Sequence, residues 1–257
     1  MRVMYLIIFF ILGTILGSFY TVVGLRLPKK ENFTTSHSRC DSCFHEIKFY
    51  EMIPLLSYIF QKGRCRYCHQ KIDSMLPLME LFTGLLFAVS YYSFDFTYEL
   101  LIALGIVSLL IIITVSDISY LIIPDEVLIF FSVYFIVIQY FNLGLKGCMI
   151  KILTGIFLFS LMYGIMLLGN KMFKKESLGG GDIKMMFLFG LVLDPLLGTL
   201  SIFFGSLIAL PISFILLIKQ KEKMIPFGPF LLVAFTFIYF TKITPEMVIN
   251  ILVFKNL

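Results

Sequence analysis

Apolar residues in this chain come in long blocks and do not alternate with polar ones at the spacing of a water-facing helix or strand. Residues 3–25, 100–116, 127–145, 152–170 and 199–218 contain no charged side chain, and 75–94 contains only Glu80. A shorter block covers 183–197, and a last one, 230–253, is broken by Lys242 and Glu246. The hydrocarbon core of a bilayer accommodates about 20 apolar residues per helix. The pattern therefore predicts an all-α polytopic membrane protein with about eight transmembrane helices.

Composition removes the competing classes. Hydrophobic residues make up 59% of the 257 and charged ones 14%, tryptophan is absent and phenylalanine reaches 29, with a mean hydropathy of +0.96. Neither a water-soluble globule nor a disordered chain has that balance. The net charge of +5 matters through its placement: 16 of the 21 Lys and Arg lie in the windows 26–71, 171–184 and 219–223. These windows follow the first, fifth and seventh blocks, so one alternation puts all three on the same side. The excess of Lys and Arg assigns that side to the cytoplasm and the N-terminus to the exterior. It is a topology signal, and no nucleic-acid partner is expected. Arg2 and the first block resemble a signal peptide, but no small-x-small cleavage site follows, so the block is read as a retained anchor. The chain then divides into a first transmembrane helix (1–25), a cytoplasmic loop (26–74) and a membrane-embedded core (75–257).

Four of the five cysteines and all three histidines fall between His37 and His69. The cysteines form two Cys-x-x-Cys knuckles, Cys40/Cys43 and Cys65/Cys68, with 21 residues between them. Each knuckle offers two thiolates from a tight turn, and four close the tetrahedral shell of a structural Zn²⁺, making a small zinc-ribbon-like loop. Arg39, Arg64 and Arg66 would ease thiol ionisation. Two disulfides or free thiols fit the count as well, although disulfides do not suit a cytoplasmic loop. With four cysteines available, His37, His45 and His69 read as surface residues, and Cys148 as a packing residue.

Ionisable groups in or beside membrane spans are costly and point to function. Here they are Glu80, Asp117, Asp125, Glu126, Asp182 and Asp194. Asp117 ends the third span at the cytoplasmic face. Asp125 and Glu126 follow Pro124, where acids also suit the first turn of a helix. Asp182 closes the run Gly179-Gly180-Gly181 and precedes Ile183-Lys184; a plain N-cap after a flexible linker fits that spacing equally. Two spans separate Asp117 from Asp182, so the chain returns to the side it left and both carboxylates can meet at one membrane surface. Two aspartates sharing a site cannot easily both ionise: one would act as base and the other, protonated, as acid. Such a pair can activate water and protonate an amide leaving group without a metal or a nucleophile. No His-Glu-x-x-His motif is present.

Several motifs now stand in order: Leu16-Gly17-Ser18-Phe19, Val22-Val23, Arg26-Leu27-Pro28, the two knuckles with Gly63-Arg64-Cys65, Pro77 and Glu80, Asp117 with Ile123-Pro124-Asp125, Gly179 to Lys184, and Pro226-Phe227-Gly228-Pro229-Phe230. In this the chain resembles the type IV prepilin peptidases over nearly its whole length. The resemblance implies a bacterial inner-membrane aspartic peptidase of the Gly-x-Gly-Asp type, with Asp117 and Asp182 catalytic. Gly179, Gly180, Gly181, Lys184, Asp125 and Glu80 would support them. It further implies removal of a basic leader from prepilin or pseudopilin precursors at the cytoplasmic face, as used by type IV pili, type II secretion or competence machinery. Many members then methylate the new N-terminus from S-adenosylmethionine. In those members the four-cysteine loop is thought to support the transfer, and Glu80, in the Pro-x-x-Glu position, is a further candidate. The chain departs from the family pattern at Asp41 (often Pro), Thr21 (usually Asn) and Leu76 (usually Tyr).

Two other readings fit the same residues. In one, the chain is a zinc-stabilised membrane scaffold or small transporter whose acids are capping or ion-path groups. In the other, it is a methyltransferase alone, which would keep methyl transfer when both aspartates are replaced.

Overall fold

The computed structural model describes residues 1–32, 39–40, 42–174, 178–218 and 225–252. His37, Asp41 and the basic window 219–223 lie outside the described residues. Nine α-helices are found among those described: α1 (Arg2–Arg26), α2 (Leu56–Phe60), α3 (Met75–Phe94), α4 (Tyr98–Tyr120), α5 (Asp125–Phe173), α6 (Gly180–Val192), α7 (Pro195–Ile218), α8 (Gly228–Phe240) and α9 (Pro245–Leu252). Five of them, α1, α3, α4, α5 and α7, are long and apolar enough to cross a membrane. The chain is an all-helical, multi-pass membrane protein.

The blocks 127–145 and 152–170 lie in two helical stretches of α5, whose 49 residues would extend about 74 Å if straight, far beyond a core of about 30 Å. Gly144 interrupts it with φ 70 and ψ −177, a conformation open to glycine because it lacks a Cβ. The block 230–253 is likewise two helices. The α8 helix stops at Phe240, Lys242 turns with φ 53, and Pro245 starts α9.

The chain forms two compact units, Met1–Leu100 and Leu101–Leu257. In the first, α1 packs along α3. Small residues let the backbones approach: a Cβ added at Gly13 would lie 2.8 Å from the Gly84 Cα, and one at Gly17 would lie 2.7 Å from the Thr83 Oγ1. Close approach of this kind is how helices associate where lipid and leucine are equally apolar. In the second unit the middle of α4 is buried, with Ala103, Ile106, Val107, Leu109, Ile113 and Val115 inaccessible.

The α6 helix lies against α5 where Gly190 meets Gly155; a Cβ on Gly190 would fall 2.5 Å from the Gly155 backbone. Its C-terminal carbonyls are taken up by side chains of α5. Gln139 Nε2 donates to the Leu191 carbonyl at 2.9 Å, and Lys151 Nζ donates to the Val192 carbonyl at 3.1 Å and to Asp194 Oδ1 at 2.9 Å.

Since Gly13 abuts backbone that has no side chain to rotate away, Gly13→Leu is expected to cost about 1–3 kcal/mol by overpacking. Thermal melting of the detergent-solubilised protein checks this; an unchanged midpoint would refute the α1–α3 contact.

Candidate active site and candidate metal centre

Asp117 occupies the last turn of α4 and is 6% exposed. The helix ends just beyond it because Leu121 adopts the left-handed conformation, φ 57, and donates its N–H to the Asp117 carbonyl at 2.9 Å. Ser116 Oγ donates to the Ile122 carbonyl and ties down the same turn. Pro124, in extended conformation, then opens α5. The Asp117 carboxylate is met by the start of α8: the Gly228 backbone N–H donates to Oδ2 at 3.1 Å.

Asp182 stands in the first turn of α6 and is 7% exposed. Its Oδ1 is shielded from solvent and has no hydrogen-bond partner. Ile123, from the turn between α4 and α5, links the two acids. A Cβ at Gly181 would lie 2.7 Å from the Ile123 Cβ, and one at Gly228 would lie 3.2 Å from its Cδ1 and 3.0 Å from Asp117 Oδ2. The two carboxylates interact electrostatically.

The three glycines have distinct surroundings. A Cβ at Gly179 would come 3.0 Å from Asp182 Oδ2 and one at Gly181 would strike Ile123, whereas Gly180 has nothing within 4 Å. Two residues beyond Asp182, Lys184 Nζ bridges both oxygens of Asp125 at 2.8 Å each. Asp117, Asp182, Gly179, Gly181, Asp125 and Lys184 therefore share one locality. Glu126 is exposed beside it, and Asp194 is engaged by Lys151 at the other end of α6.

The other cluster lies in the first unit. Cys40, Cys43, Cys65 and Cys68 place their sulfurs within 4.8 Å of one another. Cys40 and Cys68 are 3.7 Å apart, and Cys43 and Cys65 4.0 Å. A tetrahedron with metal–sulfur bonds of about 2.3 Å has edges of about 3.8 Å.

The two knuckles are built alike. Cys40 N–H donates to the His45 carbonyl and Phe44 N–H to the Cys40 carbonyl; Cys65 N–H donates to the Gln70 carbonyl and His69 N–H to the Cys65 carbonyl. Phe44 and His69 both turn with positive φ, 57 and 58. Backbone N–H groups of Cys68 and Tyr67 bring the Cys65 thiol down to about 7. At Cys68 the Gln70 N–H also favours the thiolate, but desolvation and the neighbouring sulfurs outweigh it and push the thiol up to about 12. Four thiolates this close need a cation between them, so the donor set and its spacing are compatible with Zn²⁺. His45 instead lies against Tyr67, ring centroids 3.5 Å apart, and Cys148 is buried in the other unit.

Glu80 also belongs to the first unit, on α3. It is buried, interacts with the Ser18 hydroxyl, and accepts the Leu55 N–H at 2.8 Å. Leu55 holds φ 62 and ψ −51 in a γ-turn closed by Leu56 N–H to the Pro54 carbonyl, a conformation costing about 1–3 kcal/mol for a residue with a Cβ.

Comparison with known proteins follows the same division. The Bacterial Peptidase A24 N-terminal domain matches residues 11–94, and the Type IV leader peptidase family matches residues 104–214. The prepilin leader peptidase/N-methyltransferase of Bacillus subtilis (strain 168) is 33% identical over 231 residues, 86% of this chain and 88% of the relative. The chain belongs to the type IV leader peptidase family. Proteins of the same description from Myxococcus xanthus and Vibrio cholerae are 35% and 28% identical, covering 77% and 94% of this chain and 59% and 98% of their own lengths. No solved structure matches.

The motif reading of this leader-peptidase relative overlooked three contributors. Gly228 stood out only as part of a proline-flanked segment, and its role as a backbone donor to Asp117 needs the tertiary contact to be seen. Ile123 was noted only as part of the Ile123-Pro124-Asp125 motif, and its packing against Gly181 and Gly228 needs the tertiary structure to be seen. Leu55 carries no sequence mark, because leucine is not a residue that favours its conformation.

The separate surroundings of the glycines give a sharp contrast. Gly181→Ala should lower stability by about 1–3 kcal/mol through its clash with Ile123, while Gly180→Ala should leave it equal or slightly higher. Melting curves of the two variants side by side check this, and equal losses would contradict the geometry.

Proposed function

We propose that this chain is a membrane aspartic endopeptidase that removes the basic leader of type IV prepilin-like precursors and then methylates the exposed N-terminus. The observation carrying the peptidase reading is the meeting of Asp117 and Asp182 around Ile123, with Asp182 Oδ1 left without a partner. In the reaction one carboxylate takes a proton from water as its oxygen attacks the scissile carbonyl carbon. The other carboxyl gives a proton to the amide nitrogen as the C–N bond breaks. The Gly228 N–H orients Asp117. Gly181 lets Ile123 close against α6, and the Lys184–Asp125 bridge fastens α6 to the start of α5.

The same reading places about eight spans across a bacterial inner membrane, counting α5 as two passes around Gly144 and adding the short helices α6 and α8. The Lys- and Arg-rich windows favour a cytoplasmic site. The basic leader would be drawn towards Asp125 and Glu126, while its apolar stem lies among the helices. Residues 26–74 form the zinc-binding loop and 75–257 the peptidase core. The four cysteines would hold one structural Zn²⁺, whose charge lets all four sulfurs ionise.

S-adenosylmethionine would supply the methyl group to the amine of the new N-terminus.

Asp117→Asn and Asp182→Asn should each reduce leader removal by more than about 100-fold, the scale of a lost acid or base, at unchanged protein level. A digest of a precursor read by mass measures it, and full cleavage by both variants would remove the dyad. Elemental analysis of the purified chain should give one zinc, falling towards zero in the Cys40→Ser/Cys65→Ser variant; undiminished zinc there would end the metal assignment.

A further inference from the structure

The segment joining α1 to α3 contains an uncharged run, Met52–Phe60, with Lys48 on one side of it and Lys62 and Arg64 on the other. The run includes α2, whose two faces differ. Ser57, Tyr58 and Gln61 are half-buried, with the Tyr58 hydroxyl against Gly63 and Gln61 Nε2 donating to the Glu51 carbonyl. Leu56, Ile59 and Phe60 share the other face at the i, i+3, i+4 spacing. All three are exposed, Ile59 by 67% and Phe60 by 81%, and Ile53 is exposed beside them. A bare apolar face of this kind marks a contact with lipid or protein.

The level of the run relative to the helices it joins decides between them. The Leu55 N–H donates to Glu80 Oε2 at 2.8 Å. Glu80 stands five residues into α3, about 7.5 Å along the axis from Met75. Glu80 also interacts with Ser18, which lies eight residues before the end of α1 at Arg26, about 12 Å along that axis. The chain therefore leaves α1, doubles back beside the helix pair, and only then enters α3. The 20 residues of α3 extend about 30 Å, the whole hydrocarbon thickness, so a point 7 Å or so inside its end is already at lipid level. Leu78, Leu81 and Phe82 of α3, on either side of Glu80, are exposed at that level too.

Backbone at such a level has to find its hydrogen bonds within the protein. The run does so: Leu56 N–H goes to the Pro54 carbonyl, Ser57 N–H to that of Ile53 and Ile59 N–H to that of Leu55, while the Leu55 N–H has Glu80. We propose that Met52–Phe60 is inserted in the lipid leaflet on its side of the membrane, with Leu56, Ile59 and Phe60 against acyl chains. Amphipathic segments commonly lie about 5–10 Å into the boundary between headgroups and acyl chains. Lys48, Lys62 and Arg64, all exposed, are then placed to meet lipid phosphates. Insertion requires only that α1 and α3 cross the membrane, whatever reaction the chain performs.

The chain has no tryptophan, so Phe60→Trp and Ile59→Trp each carry a single emitter. Both are placed in nanodiscs of phosphatidylcholine and phosphatidylglycerol, with or without bromine on the acyl chains near the headgroup. Phe82→Trp serves as the reference on α3. Brominated lipid should quench both loop tryptophans at least half as strongly as the reference, and acrylamide should quench them no more than twice as strongly as it does the reference. Quenching by acrylamide without quenching by lipid would put the run in water and overturn the insertion. Shielding from both would mean that protein covers the face, either the rest of this chain or a second copy, and would overturn it equally. So would failure of both loop variants to fold, because a side chain facing lipid tolerates tryptophan.

Discussion

Two carboxylates buried in a body that is largely hydrocarbon impose the heaviest demand in this molecule, because a charge removed from water must find a donor or another charge nearby. The chain supplies very little. Asp117 has the backbone N–H of Gly228, and one oxygen of Asp182 has nothing. Ile123 packs against the glycine beside each acid, Gly181 and Gly228. A buried acid is relieved of that demand by protonation or by a partner that enters the site.

That arrangement depends on backbone proximity, and proximity depends on glycine. At Gly181 a side chain would displace Ile123, at Gly228 a Cβ would crowd Ile123 and the Asp117 carboxylate, and at Gly190 the α6 backbone rests on that of α5. The same device joins α1 to α3 in the other unit. Where burial of apolar surface contributes little to helix association, contact distance between main chains takes its place.

Much of this was legible in the order of residues. Each apolar block contains helix because its length and lack of charge leave few alternatives. The convergence of Asp117 and Asp182 followed from parity, since two crossings return the chain to the same side. The cysteine cluster followed from two knuckles, each closed by local hydrogen bonds. What stayed hidden needed partners distant in sequence. The donor to Asp117 comes from 111 residues away, the Leu55 turn is stabilised by a carboxylate 25 residues on, and the place where α5 breaks is set by the backbone angle of a single glycine.

The 13 residues of α6 extend only about 20 Å, less than the hydrocarbon thickness of about 30 Å. Its far end is fastened by Gln139 and Lys151, and most of its length touches protein. Nothing in that anchoring refers to lipid. The depth of Asp182 is therefore set by a ruler of side chains inside the molecule, and membranes of longer or shorter acyl chains would bend around the outer helices while the acid kept its level.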